Sequence, residues 1–309
     1  MQIEILGSAA GGGFPQWNCN CRNCQSLRAG TFPGKSRTQT QVAISRDGIS
    51  WFLLNASPDL RLQIEATPAL HPRNEKRESP IAGVVITSGD LDQITGLLSL
   101  RELQRFTIYC TASIRRVLRK HNSVFAMLNR VPDQVSWTEI KPGESFPLVT
   151  TSGADSGLRC EPFSLGSRYP AYVSPSSSSG LSPQEASLGL MVEASSGTRL
   201  AYLPAVPAID DALLQRVEKA DLLLFDGTFW SEDELIRVQG SGATARDMGH
   251  IPVDSEDGSL RKLAGLRRPR KVFLHVNNTN PMLDESSAEY REVRSAGWEV
   301  AGDGWHLDL

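Results

Sequence analysis

Residues 81–93 carry the sequence IAGVVITSGDLDQ. The first seven of these residues are mostly branched and apolar, which is typical of a strand that is buried on both faces of a sheet. Beyond the polar residues that follow, Ile94, Leu97 and Leu98 have the spacing of an apolar helix face. The stretch therefore predicts a buried strand, a short polar loop and then a helix over residues 92–104.

The same elements recur on both sides of this stretch. Residues 40–45 and 51–54 predict two strands joined by a hairpin turn at Arg46-Asp47-Gly48. Further strands are predicted at 106–109, 221–225 and 271–276, and helices at 112–120, 209–218 and 284–296. This order favours two mixed sheets packed together with helices outside, and a doubly wound α/β fold is the alternative. No repeat or linker divides the chain, which predicts a single domain over residues 1–309.

The composition excludes several classes of protein. The chain has 32 basic and 35 acidic residues among 309, so its formal net charge is −3 and it has no broad basic field for nucleic acid. Its apolar runs are far shorter than the roughly 18–20 residues of a membrane-spanning helix. Glu4 lies where a signal peptide would be cationic. We therefore expect a cytoplasmic protein with no membrane segment and no nucleic-acid partner.

Three of the five cysteines, Cys19, Cys21 and Cys24, fall within six positions. A disulfide framework would use an even number of cysteines spread along a short secreted chain. The C-x-x-C spacing of the last two allows both sulfurs to bind one tetrahedral zinc ion. The cluster therefore predicts a structural Zn²⁺ site, with a redox pair or a chance cluster as the alternative. The sequence does not identify a fourth ligand.

Carboxylate and imidazole groups are predicted at the ends of three strands. Asp90 and Asp92 follow the strand at 81–87, Asp226 follows the strand at 221–225, and His275 lies near the end of the strand at 271–276. Hard carboxylate oxygens combined with imidazole favour a first-row divalent metal with open coordination positions. For Asp92 the alternative is an ordinary acidic residue in the first turn of a helix.

Several long motifs resemble the coenzyme PQQ synthesis protein B family of the metallo-β-lactamase superfamily. The similarity runs nearly from end to end. The motifs are LGSAAGGGFPQWNCNC at 6–21, NASPD at 55–59, GLLSLRE at 96–102, FDGT at 225–228, MGH at 248–250 and HVNNTNP at 275–281. The resemblance implies the αββα sandwich, an α/β fold with two mixed sheets and helices on the outer faces.

The resemblance also implies ligand positions after the strand at 81–87. In the superfamily a His-x-His-x-Asp-His segment binds metal there, and Asp92 matches its aspartate. Asp90 takes the place of the second histidine and could bind through its carboxylate. Gln93 replaces the last histidine, which the PQQ family usually keeps, and an amide oxygen is a weaker ligand than imidazole.

Three later residues match family positions by the same resemblance. Asp226 corresponds to a later carboxylate ligand and His275 to the final histidine, while His250 belongs to a Gly-His pair near the site. We expect Asp92, His275 and the position of Gln93 to hold the metal. Asp226 is then a second-site or outer-shell carboxylate with a catalytic role, and His250 is a proton donor or a substrate-orienting group.

The family resemblance implies a role in making pyrroloquinoline quinone from a Glu-Tyr peptide precursor. The implied chemistry is hydroxylation of a tyrosine ring, or of a small-molecule or peptide intermediate derived from tyrosine, by active-site Fe²⁺ or another divalent metal. The alternatives are a soluble carrier of the quinone toward the periplasm, a metallo-hydrolase, or a paralogue with an altered metal site. A homodimer is the oligomer that we consider.

Overall fold

The computed structural model describes residues 1–120, 122–173, 179–240 and 242–309. Within these ranges the chain divides into two compact units. Unit 1 comprises Met1–Leu6, Gln41–Thr198 and Gly304–Leu309, and unit 2 comprises Gly7–Thr40 and Arg199–Asp303. The single domain expected over the whole chain stays a prediction.

The strands of the described residues belong to two sheets. Their bounds are β1 Gln2–Gly7, β2 Gln41–Ser45, β3 Trp51–Leu54, β4 Ile81–Val85, β5 Phe106–Cys110, β6 Val135–Glu139, β7 Phe146–Val149, β8 Asp155–Gly166, β9 Ser187–Ala194, β10 Arg199–Leu203, β11 Leu222–Asp226, β12 Arg270–Leu274, β13 Trp298–Val300 and β14 Trp305–Asp308. The first sheet has the order β14-β1-β2-β3-β4-β5-β6. Of the second sheet, unit 1 holds β7, β8 and β9 as antiparallel neighbours, and unit 2 holds β10, β11, β12 and β13 as parallel neighbours. The two mixed sheets expected from the sequence are confirmed.

The helices are short. Those with α geometry are α1 Arg22–Arg28, α2 Leu60–Glu65, α3 Leu91–Ile94, α4 Ala112–Lys120, α5 Asp211–Val217, α6 Glu234–Gln239, α7 Ser259–Lys262 and α8 Ala288–Ser295. No helix in the described part of the chain has both the length and the apolar character to cross a membrane.

The stretch at 81–93 folds largely as expected. All five residues of β4 are buried, and β3 and β5 pair with it in parallel on either side. The helix expected over 92–104 is shorter, because α3 gives way to a 3₁₀ helix at Thr95–Leu100. The Gly96 N–H donates to the Ala56 carbonyl at 2.8 Å, which takes it out of the α-helical ladder. A Cβ at Gly96 would overlap the Ser57 carbonyl oxygen, so this close approach requires glycine.

In unit 2, two neighbouring parallel strands end at the same edge. The register pairs Asp226, the last residue of β11, with Leu274, the last residue of β12. His275 is the next residue along the chain. The carboxyl ends of adjacent parallel strands are where α/β folds commonly build their sites, and this register brings the Asp226 and His275 positions together.

The core of unit 2 depends on Trp298, whose indole stacks on the Phe273 ring with centroids 4.1 Å apart. Trp298 is only 1% exposed, whereas Trp17 is 85% exposed. Trp298→Ala should lower the free energy of unfolding by about 3–5 kcal/mol, because it removes a packed ring and leaves a cavity. Trp17→Ala should change it by less than about 0.5 kcal/mol. Urea denaturation followed by circular dichroism measures both, and equal losses would contradict this account of the core.

Candidate metal-binding sites

Two groups of side chains in the described residues could bind a metal ion, and both lie in unit 2. One consists of Cys19, Cys21 and Cys24, and the other consists of Asp226, His250 and His275. Within each group the possible ligand atoms lie within 4.8 Å of one another. We call these the thiol site and the histidine site.

The thiol site is built around the start of α1. Cys21 is the extended residue that precedes the helix, and Cys24 is buried inside its first turn. The Cys21 N–H points to the Cys19 sulfur at 3.4 Å, and the Arg28 guanidinium donates to the Cys19 carbonyl at 2.6 Å. These contacts fold the loop back on the helix and bring the three sulfurs together. A tetrahedral zinc ion with Zn–S bonds of about 2.3 Å needs sulfurs about 3.8 Å apart, which this cluster can provide.

Asn278 fills the fourth side of the thiol site. Its side-chain nitrogen lies 3.2 Å from the Cys19 sulfur, 3.6 Å from that of Cys21 and 3.3 Å from that of Cys24. Nothing in the sequence indicated a ligand role for this residue beyond its place in the HVNNTNP motif. The carboxamide supplies an oxygen ligand as readily as a donor, since a rotation exchanges its two polar atoms.

Two of the thiols differ in their affinity for a proton. Burial raises the pKa of Cys21 to about 11, with the neighbouring cysteines adding to the effect. Burial also opposes ionisation of Cys19, but the Cys21 N–H and the Asn278 amide outweigh it and lower the pKa of the Cys19 thiol. A bound cation would therefore be needed to hold the Cys21 sulfur as a thiolate at neutral pH.

Asp226 is the centre of the histidine site. Its carboxylate is fully buried and accepts four hydrogen bonds. The donors are the Val206 N–H at 2.8 Å, the Thr228 N–H at 3.0 Å, the Thr228 hydroxyl at 2.6 Å and His250 Nδ1 at 2.8 Å. Burial opposes ionisation, but the two imidazoles and the Thr228 hydroxyl outweigh it and lower the pKa of Asp226. The carboxylate therefore remains charged.

Thr228 joins both histidines to this carboxylate. Its hydroxyl lies 3.1 Å from His250 Nδ1 and 2.8 Å from His275 Nδ1. Because its single proton goes to Asp226, the hydroxyl can only accept from the His275 ring. His250 likewise gives its Nδ1 proton to Asp226. In its neutral form each ring therefore carries its proton at Nδ1, and Nε2 carries the lone pair with which it would bind a metal. Thr228 was not predicted as a site residue, although it belongs to the FDGT motif.

The two rings of the histidine site are nearly parallel. Their centroids are 5.3 Å apart with 23° between the planes. His275 has a φ of 59°, a left-handed conformation that is unfavourable for a residue with a Cβ. The surrounding contacts therefore hold His275 in a backbone geometry that it would not adopt alone. Such strain is common at functional positions.

The residues predicted after β4 lie in unit 1. Gln93 is buried, and its side-chain oxygen Oε1 accepts from the Thr87 hydroxyl at 2.8 Å and the Ser88 hydroxyl at 3.0 Å. Ser88 also lies 2.6 Å from an Asp90 carboxylate oxygen. Asp92 lies in the first turn of α3, as the alternative interpretation expected. The ligand roles of Asp90, Asp92 and Gln93 stay predictions.

Glu234 is a buried carboxyl group that the sequence did not indicate. It accepts from the Trp230 N–H at 2.6 Å and from the Thr279 hydroxyl, and it starts α6. Burial raises the pKa of Glu234 to about 7 despite these donors. Through its hydrogen bond with Thr279, Glu234 links α6 to the segment that follows His275.

Known proteins resemble this chain over its full length. Residues 50–276 match the family model described as the beta-lactamase superfamily domain. The coenzyme PQQ synthesis protein B of Methylorubrum extorquens strain AM1 and that of Azotobacter vinelandii are each 44% identical, with 100% of this chain and of the relative covered. The 1.98 Å crystal structure of Zn²⁺-bound PqqB from Methylobacterium extorquens is 43% identical with a TM-score of 0.91, and both chains are covered completely. These similarities confirm the metallo-β-lactamase fold.

The raised pKa of Glu234 predicts a pH-dependent stability. Between its ordinary value of 4.5 and about 7, the folded protein binds this proton more tightly than the unfolded chain does. The free energy of unfolding should therefore fall as the pH rises through this range, by on the order of 2–3 kcal/mol. Glu234→Gln should remove that part of the slope, whereas Glu256→Gln at an exposed position should leave it. Denaturation at about pH 5 and about pH 8 tests this, and an unchanged slope in Glu234→Gln would contradict it.

Proposed function

The chain belongs to the coenzyme PQQ synthesis protein B family of the beta-lactamase superfamily, and on that premise we propose that it is an iron-dependent hydroxylase of tyrosine or a tyrosine-derived intermediate. The observation that supports the chemistry is the hydrogen-bonded group of Asp226, Thr228, His250 and His275. Imidazole is a ligand that non-haem ferrous oxygenases use, and here the two imidazoles would bind the metal while the carboxylate orients them.

The roles of the histidine site follow from its hydrogen bonds. His250 and His275 would hold the metal through Nε2. The four donors around Asp226 occupy its oxygens, so its proposed role is to hold His250 directly, and His275 through Thr228, in the correct tautomer. Its negative charge also offsets that of a cation. Proton donation or substrate orientation by His250, as expected from the sequence, remains the alternative role for that ring.

A ferrous ion bound by these histidines would supply the redox chemistry for oxygen insertion. In the overall reaction one atom of O₂ replaces an aromatic hydrogen as a hydroxyl group. The other atom leaves as water, with two electrons from an added reductant and two protons from the solvent. The substrate would be a small molecule or peptide that carries a tyrosine ring. The homodimer and the cytoplasmic location stay predictions.

We also propose a structural zinc ion in the thiol site. The proposal is supported by three sulfurs close enough to share one tetrahedral ion, and by a relative of 43% identity that is described as Zn²⁺-bound. A metal that joins Cys19 and Cys21 to Cys24 would link the N-terminal loop to α1. It would also relieve the cost of burying ionisable thiols side by side.

Cys21→Ser should remove most of the zinc from protein purified without chelator, because a serine hydroxyl is a much poorer ligand than a thiolate. Cys160→Ala is the control, since Cys160 is buried in β8 and is not one of the three cysteines of the thiol site. It should retain about one zinc per chain. Elemental analysis of both variants gives the answer. Full zinc retention by Cys21→Ser would rule out the thiol site as the zinc site.

Mass spectrometry of the reaction product tests the hydroxylase activity. Protein loaded anaerobically with Fe²⁺ and then given O₂, a reductant and either tyrosine or a Glu-Tyr peptide should yield a product heavier by one oxygen atom. His275→Ala should abolish the product, whereas His306→Ala, at an exposed position of β14, should not. A carrier would bind the quinone without changing it, and a hydrolase would act without O₂. Either result would overturn the proposed hydroxylase function in favour of a carrier or a hydrolase.

A further inference from the structure

One short segment, residues 275–280, connects the histidine site to the thiol site. It begins with His275 and contains Asn278 at its fourth position. All six residues are buried, and four of them are the polar residues Asn277, Asn278, Thr279 and Asn280. Burial of so many polar groups is costly unless each has a partner, so the contacts of this segment determine its path.

The first half of the segment is held by backbone hydrogen bonds. The Val276 N–H donates to the Ser8 carbonyl at 3.0 Å, and the Val276 carbonyl accepts from the Ala10 N–H at 2.9 Å. The Asn277 N–H donates to the Thr228 carbonyl at 3.0 Å. These bonds fix the chain immediately after the left-handed His275. They restrict the backbone conformation between His275 and the residues that follow.

The second half of the segment is held by the thiol site. The Asn278 carboxamide faces all three sulfurs, as described above. The Asn23 side chain, on α1 between Cys21 and Cys24, donates to the carbonyls of Asn278 and Asn280 at 3.2 and 3.1 Å. Both the side chain and the backbone of Asn278 are thus attached to the cysteine-bearing helix.

We propose that Asn278 is the fourth ligand of zinc in the thiol site, through its side-chain oxygen, and that this bond positions His275. The inference rests on the zinc part of the proposed function. Without a cation the amide nitrogen donates to the sulfurs, and with one the carboxamide turns its oxygen toward the ion. Zinc accepts oxygen ligands alongside sulfur, so three thiolates and one carboxamide complete a tetrahedral site.

This arrangement makes zinc a structural constraint on the histidine site. His275 needs support to keep its left-handed backbone, and the nearest anchor on its C-terminal side that can be loaded or emptied is Asn278. An empty thiol site would leave the Asn278 side chain with only weak amide-to-sulfur contacts, while Asn23 still holds its backbone. Asn278 is therefore a positioning residue for the metal-binding histidine, in addition to being a zinc ligand.

Cobalt substitution tests the ligand. In the wild type, Co²⁺ in the thiol site should give the visible absorption spectrum of a four-coordinate ion. In Asn278→Ala this spectrum should change, because one ligand is lost. Asn278→Asp should keep the four-coordinate spectrum, because a carboxylate oxygen replaces the amide oxygen at the same distance. Asn20→Ala removes an exposed asparagine of the same loop and should match the wild type. Zinc affinity should fall by on the order of 10- to 100-fold in Asn278→Ala only. A wild-type spectrum and affinity in Asn278→Ala would overturn the assignment.

Hydrogen exchange tests the positioning role. Zinc should slow exchange of the backbone amides at 276–280 by on the order of tenfold or more in the wild type, Asn278→Asp and Asn20→Ala. Asn278→Ala should show no such slowing, and if that variant does not fold, Asn278→Asp must still show it. Equal exchange with and without zinc in the wild type would overturn the proposal. A loss of hydroxylase activity alone would not overturn the positioning role, since the exchange of these amides does not depend on iron. If none of the proteins, wild type included, bound zinc, the proposed zinc site itself would be refuted.

Discussion

A fully buried carboxylate must find a donor for each of its lone pairs, and Asp226 meets this requirement with four. Two are backbone N–H groups, from Val206 and Thr228, so the charge fixes the loops after β10 and β11 as well as the side chains around it. His250 and, through the Thr228 hydroxyl, His275 are oriented by the same carboxylate. The chemistry of the histidine site therefore depends on one buried negative charge at the end of a parallel strand.

The segment at 275–280 extends this dependence to the thiol site. An apolar segment in the same place could be held by packing alone, but this one is rich in amides and needs specific partners. It finds them in Thr228 on one side and in Asn23 and the cysteines on the other. Glu234 adds a further link through Thr279. The two candidate metal sites are consequently parts of one polar network in unit 2.

Much of this arrangement could be predicted from local sequence patterns. Asp226 and His275 were both expected at strand ends, and the parallel register of β11 and β12 brings their positions together. The hairpin at Arg46-Asp47-Gly48 was also correct, with β2 and β3 antiparallel. The helix after β4 was predicted too long, because its pattern could not reveal that the Gly96 N–H bonds to the backbone of Ala56.

The order of strands and helices, the grouping of the cysteines and the positions of the charged residues follow from spacing along the chain, which short-range geometry dictates. The roles of Thr228 and Asn278 do not. Neutral hydroxyl and amide side chains are common throughout proteins, and their importance depends on what they contact. Asn278 meets Cys19 across 259 positions of sequence, and only the folded backbone brings such distant groups within hydrogen-bond distance. Long-range contact, rather than residue type, makes them part of the sites.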